Sequence, residues 1–203
     1  MNFYDKVKWV LGILMVFVLI ITTNLLDKNN FIRVKDSVVS IYEDRLIAND
    51  LIFEIAKSIK QKEIAIVTSN ATFFDETNKS ENKNIQFYID KYEETKLTSE
   101  ERTVFNQFKA NIDNLKIKES EFVQNGMNDK SNLLKLLFEI DENLYDLTKI
   151  QLNEGRKQMS ISQKAIDTVE LFTQIEIYLL VFLAIVVQVI VMYNPKKEKS
   201  KSA

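Results

Sequence analysis

Arg45 and Lys62 interrupt an otherwise apolar stripe, and they are the residues of this sequence with the most capacity for chemistry. Stepping alternately by four and three from Val34 gives Val38, Ile41, Arg45, Ala48, Ile52, Ile55, Ile59, Lys62 and Ile66, the spacing at which one helix face meets its neighbours. A guanidinium at a core-type position offers a planar fork of donors that suits a carboxylate or another small anion. Helical rise counted from Asp27 puts Arg45 about 27 Å along, and the same count back from Glu176 puts Gln158 level with it, with Glu154 and Gln151 one or two turns beyond. All three lie in QLNEGRKQMS, where the apolar pattern lapses and Gly155 lets a neighbouring backbone approach. Arg45, Gln151, Glu154 and Gln158 are therefore the candidate ligand-binding residues, for a small anionic ligand. The competing role is structural: Arg45 paired with Glu154, or with the partner subunit's Asp44 or Glu43, would fix register in a bundle or dimer. Lys62 is expected to snorkel at the bundle surface. Tyr42, Phe53 and Phe74 are candidates for an aromatic pocket, with plain core packing as the alternative.

Much other chemistry is excluded. The sequence has no histidine and no cysteine, which removes disulfides, thiolate nucleophiles, Cys/His zinc sites and histidine-based triads. Gly12, Gly126 and Gly155 stand far apart, so there is no glycine-rich phosphate loop. The acid pairs Glu43/Asp44 and Asp141/Glu142 are adjacent in sequence, point in different directions from a helix and make poor metal sites. The expectation is a protein that is not an enzyme and needs neither cofactor nor metal.

Three glycines and one proline leave little punctuation for strands and tight turns, so the elements that position these residues are long helices. Trp9 to Leu26 and Ile177 to Tyr193 carry no charge. At about 1.5 Å per residue the first run alone covers about 27 Å, close to a hydrocarbon core. No small-x-small cleavage site follows it, so it reads as an uncleaved anchor. Two spans put both ends of the chain on one side. Lys6 and Lys8 at one end, and Lys196, Lys197, Lys199 and Lys201 at the other, put that side inside. The resulting layout is a cytoplasmic tail at 1–8, a transmembrane helix at 9–26, an extracytoplasmic domain at 27–176, a second transmembrane helix at 177–193 and a basic cytoplasmic tail at 194–203. The domain has six more acids than bases, which gives no reason to expect nucleic acid.

Within the domain, a second stripe of Val39, Tyr42, Leu46 and Phe53 beside the first predicts one broad buried face. TSNATFFDETNKSENKN breaks the pattern and ends the first helix near Thr68. Its two N-x-S/T sequons, at Asn70 and Asn78, arise readily by chance in so asparagine-rich a stretch. Ile85, Tyr88, Ile89 and Tyr92 mark a second helix. Thr98 and Glu101 form a capping box that starts a third near Ser99, carrying Val104, Phe105, Phe108, Ile112, Leu115 and Phe122 towards a stop near Gly126. A fourth begins after Asp129 and runs through Leu133, Leu137, Ile140, Leu144 and Leu147. The fold class is all-α: an antiparallel up-down-up-down four-helix bundle, its first and last helices continuous with the transmembrane helices.

SIYEDRLIANDLIFEIAKSIKQKE (Ser40 to Glu63) and LTSEERTVFNQFKANIDNLK (Leu97 to Lys116) resemble the first and third helices of the four-helix-bundle sensory domain of methyl-accepting chemotaxis receptors, a domain shared with some sensor kinases. The resemblance covers residues 1–195. It implies a two-pass protein of the bacterial inner membrane with a periplasmic ligand sensor, working as a parallel homodimer and passing a displacement of its last helix through the second span. Such receptors continue into a HAMP linker that often starts with a proline, and Pro195 sits at that position. No HAMP heptads follow it, so the signal is expected to leave through associated chemoreceptors or sensor kinases. The alternative is a membrane-anchored structural or adaptor protein that dimerises or docks without a ligand.

Overall fold

Few atoms set the helix boundaries. A computed structural model describes the backbone of residues 3–192 and the side chains of that stretch apart from 3–10, 13, 187 and 190–192. The helices are α1 (Phe3–Ser40), α2 (Ile47–Thr68), α3 (Asn78–Glu93), α4 (Ser99–Gln124) and α5 (Ser131–Met192), with π-helical segments at Ile41–Leu46 and Phe73–Thr77. No strand occurs among the described residues. α2 ends where Ser69 turns left-handed at φ 49° and returns its N–H to the carbonyls of Ala65 and Ile66, the usual way to satisfy a last helical turn. Both halves of the predicted capping box are present at the start of α4, each at 3.2 Å. Gly126, at φ 69°, follows the end of that helix, and Asp129 Oδ1 accepts the Ser131 N–H at 3.0 Å to open α5.

The chain falls into two units, one of them Asp36–Ser160 and the other built from the chain up to Lys35 and from Ile161 onward. In the first, four stripes meet in one core: Ile52, Ile55 and Ile59 of α2, Ile85 and Ile89 of α3, Phe105, Phe108 and Ile112 of α4, and Leu137, Ile140 and Leu144 of α5. Tyr92 stacks on Phe105 with ring centroids 4.6 Å apart. In the second unit the apolar side chains of both predicted spans are exposed, among them Leu14, Met15 and Phe17 on α1 and Val181 and Phe182 on α5. Among the described residues, one helix, α5, is long and apolar enough to cross a membrane. The side chain of Trp9, Tyr193 and the basic tail expected at 194–203 lie outside the described residues.

The structure corrects two expectations about the first helix. Its second stripe is not buried: Val39, Tyr42, Leu46 and Phe53 are 41–63% exposed, because the core receives one stripe of the helix and the adjacent face turns outward. Val38, on the first stripe, is also exposed. The turn between α3 and α4 packs at Asp44 and Arg45, so the four-helix core starts there and leaves Val38 without α3 or α4 to pack against. The second correction concerns Lys62, which is fully buried rather than snorkelling.

Candidate functional site

At one end of this core every helix contributes a polar side chain to a single layer. The π-helical segment Ile41–Leu46 supplies Arg45, the last turn of α3 supplies Tyr92, the third residue of α4 supplies Glu101, and α5 supplies Gln151. Arg45 Nη1 donates to Glu101 Oε2 and to Gln151 Oε1, each at 3.0 Å. Its Nη2 donates to the Lys96 carbonyl in the α3–α4 turn, also at 3.0 Å. Tyr92 Oη donates to Glu101 Oε1 at 2.7 Å, and Gln151 Nε2 donates to Tyr92 Oη at 2.7 Å and to Glu101 Oε1. Asp44 accepts the Lys96 N–H at 3.3 Å, so two successive residues of the π-helical segment hold one residue of the turn.

The electrostatics follow from burial. Arg45 is 7% exposed and Glu101 not at all, so removing either partner would leave the other buried without its countercharge. Glu101 accepts from Arg45, Tyr92, Gln151 and the Thr98 N–H. Burial, followed by the charge and hydrogen bond of Glu101, pushes the Tyr92 hydroxyl well above its ordinary value, so at neutral pH it is a donor. One donor of the layer stays open: Arg45 Nε is buried without a partner. A cavity of about 360 Å³ borders the layer, and Arg45, Gln151 and Gly155 form part of its wall.

A second charged layer crosses the core further along. Lys62 Nζ donates to both oxygens of Glu119, at 2.9 and 2.8 Å, and to Asn78 Oδ1, while Asn78 Nδ2 donates to Glu119 Oε2 at 3.1 Å. Desolvation lowers the Lys62 pKa, and the Glu119 carboxylate opposes that shift.

The structure brings Arg45 and Gln151 together, and it puts Glu154 and Gln158 elsewhere. Glu154 is half-buried and pairs with Lys157 at 3.4 Å, and Gln158 is half-buried on the next turn of α5. The residue that meets Arg45 is thus two turns from Gln158. Equal counting from Asp27 and Glu176 puts Gln158, not Gln151, level with Arg45. Tyr42, Phe53 and Phe74 have separate surroundings: Tyr42 is exposed, Phe53 borders a cavity with Asp141 and Tyr145, and Phe74 packs edge-on against Phe122 at 5.8 Å. Sequence reasoning missed Glu101 and Glu119 as partners of the two cations. The signal was present, since stepping by three and four from Phe105 along the α4 stripe reaches Glu101 in one direction and Glu119 in the other.

No curated protein and no solved structure matches the chain. A family described as a four helix bundle sensory module for signal transduction matches residues 6–166, a stretch that contains every residue of both charged layers. The chain therefore belongs to that family, the four-helix-bundle sensory domains of methyl-accepting chemotaxis receptors.

Proposed function

We propose that the protein is a two-pass sensor of the bacterial inner membrane, with residues 27–176 in the periplasm and both termini in the cytoplasm. It works as a homodimer and signals through associated chemoreceptors or sensor kinases. The observation that carries this reading is that a sensory module has exposed apolar runs on both its first and last helices, a surface that lipid would cover. An up-down-up-down course is supported by the ion pairs. Arg45 with Glu101 and Lys62 with Glu119 follow the same order along both helices, as the first and third helices of such a bundle require.

A second copy has an apolar face to cover. Phe138, Tyr145, Leu152 and Met159 recur every seven residues along α5 and are 55–67% exposed, and Leu46 and Phe53 are exposed on the first helix. Patches of this kind mark association surfaces. Sensing belongs to the cavity at Arg45 and Gln151, with Glu154 and Gln158 on the following turns of α5. The adaptor reading has one observation in its favour: Arg45 is already held by internal partners, so the layer needs no ligand to complete it.

The absence of cysteine makes single-cysteine variants clean reporters. In intact cells Ser80→Cys is expected to react with a maleimide that does not cross the inner membrane, and Ser202→Cys only after permeabilisation. The reverse pattern would end the topological reading. Leu152→Cys, oxidised in membranes, is expected to give a disulfide-linked dimer, and a product that stays monomeric would remove the homodimer.

A further inference from the structure

We infer that the π-helical segment at Ile41–Leu46 is a register switch, through which α1 buries either of two neighbouring faces. Arg45, Ile52, Ile59 and Ile66 stand seven residues apart and all are buried, the repeat of a helix packed along one face. Before the segment the repeat is out of step. The buried residue there is Ser37, eight before Arg45, and Asn30, seven before Ser37, is buried as well. One extra residue has therefore entered the helix. It is accommodated where the Ile47 N–H reaches back five residues to the Tyr42 carbonyl, the longer bond of a π-bulge.

By composition, the face that the bulge selects is the less favourable one. An unbroken α-helix continues the repeat from Arg45 back to Val38 and Phe31. Those two are 56% and 70% exposed, whereas Ser37 and Asn30 are 3% and 6% exposed. Burial goes to two polar side chains and is withheld from two apolar ones, against the ordinary preference. One residue of an α-helix is about 100° of turn, so closing the bulge to α-helical bonds turns α1 by that amount. Ser37 is exchanged for Val38 and Asn30 for Phe31. The far side of the segment is held while this happens, since Asp44 and Arg45 bond the Lys96 N–H and carbonyl and Arg45 also bonds Glu101 and Gln151. Local helix bonding and apolar burial favour one face and the observed packing the other, which is the condition for a bistable element. If α1 enters the membrane, as the sensory reading above has it, the turn passes into the first span; that step alone rests on that reading.

Without a native cysteine, the exchange can be read as thiol accessibility in the full chain in lipid nanodiscs. The Val38→Cys thiol is expected to react with a maleimide at least about tenfold faster than the Ser37→Cys thiol, which is reached only through a minor state. Deleting Glu43, an exposed residue of the segment, restores the seven-residue step from Ser37 to Arg45. That deletion is expected to keep the parent's thermal unfolding midpoint and to slow labelling of Ser37→Cys at least about tenfold further. Deleting Lys57, exposed in the uninterrupted α2, puts half of that helix's stripe out of phase and is expected to lower the midpoint. Asn30→Lys with Ser37→Lys penalises the face now buried and is expected to turn the helix, so that Val38→Cys becomes protected. A loss of midpoint on deleting Glu43 as large as that on deleting Lys57, or labelling of Ser37→Cys that the Glu43 deletion leaves unchanged, overturns the inference. So does a Val38→Cys thiol that stays as reactive in a folded double lysine variant as in the parent. Should that variant fail to fold, the two deletions decide. These readouts do not depend on the side of the membrane on which Ser80→Cys labels, so a rigid bulge and a wrong topology fail in different experiments.

Discussion

Arg45 and Lys62 lie on the same stripe, each buried and each facing a glutamate of α4, yet the two layers around them are built differently. The Arg45 layer draws on all four helices and on the backbone of the α3–α4 turn. The Lys62 layer draws on α2, α4 and Asn78 at the start of α3, with no hydrogen bond to α5. The cations differ too. A guanidinium keeps its charge at any accessible pH, whereas a buried ammonium can shed its proton when the environment penalises it. Desolvation already moves Lys62 in that direction. The first layer is a fixed charge that must be matched, so it ties down the end of the core where the α3–α4 turn sits. The second can become neutral, so the core there has a way to relax.

The comparison breaks most visibly at the two glutamates. Glu101→Gln removes the countercharge from an arginine that cannot discharge and weakens the cap of α4. The expected cost is about 4–6 kcal/mol, from roughly 3–5 for a broken buried pair and about 1 for a cap. Glu119→Gln strands a lysine that can deprotonate, and roughly 2–3 kcal/mol is expected because the penalty is limited by the work of discharging it. Denaturant unfolding of the full chain in micelles, followed by circular dichroism, checks the order. Equal losses would mean that the identity of the cation does not matter.

Replacing both members of each pair sharpens the same difference at smaller amplitude. Lys62→Met with Glu119→Leu puts apolar volume where the pair stood, and such exchanges are commonly neutral or stabilising, here by about 0–2 kcal/mol. Arg45→Met with Glu101→Leu is expected to destabilise by roughly 2–3 kcal/mol. It leaves the Lys96 carbonyl, Tyr92 Oη and Gln151 short of partners and removes the half of the capping box that the Glu101 side chain makes. A stabilised Arg45/Glu101 double variant would show that the layer is an ion pair and little more.

The helices themselves were legible because their signals are local. The stop after Thr68, the box at Thr98 and Glu101, and the start after Asp129 depend on residues within one turn of each other, and the structure keeps all of them. The layers are long-range, and they were legible only in part. Arg45 and Lys62 stand out as cations in an apolar stripe, but sequence spacing on one helix does not say which helix holds the acid. Glu101 was masked by its second role, since a glutamate three residues after a threonine already has a local explanation. Gln151 was among the candidates beside Arg45, reached by counting helical rise, but the count did not single it out from Glu154 and Gln158. The outward turn of Tyr42, Leu46 and Phe53 was illegible for a different reason: an apolar side chain follows the same pattern whether it faces its own core or a second copy.

The finest distinction between the layers is in how each responds to alkali. The Tyr92 hydroxyl is raised above its ordinary value of about 10 in the folded protein. Above pH 10 the unfolded chain has lost this proton while the folded one keeps it, so stability falls as pH rises, by up to about 1.4 kcal/mol per pH unit. Lys62 has the opposite sense. Its folded pKa lies below 10.5, so between the two values the unfolded chain holds the extra proton and stability rises with pH, levelling off above 10.5. Tyr92→Phe is therefore expected to flatten the loss above pH 10, at a cost of about 1 kcal/mol at neutral pH for the hydrogen bonds it forgoes. Lys62→Met is expected to remove the gain below 10.5 and leave the loss above 10 in place. The measurement is the unfolding free energy of the wild type and both variants from pH 8 to about 11, each compared with the wild type so that other titrating groups cancel. Slopes of the same sign for the two layers would mean that Lys62 stays charged against its burial, held there by Glu119, and the contrast between a fixed layer and a dischargeable one would fail.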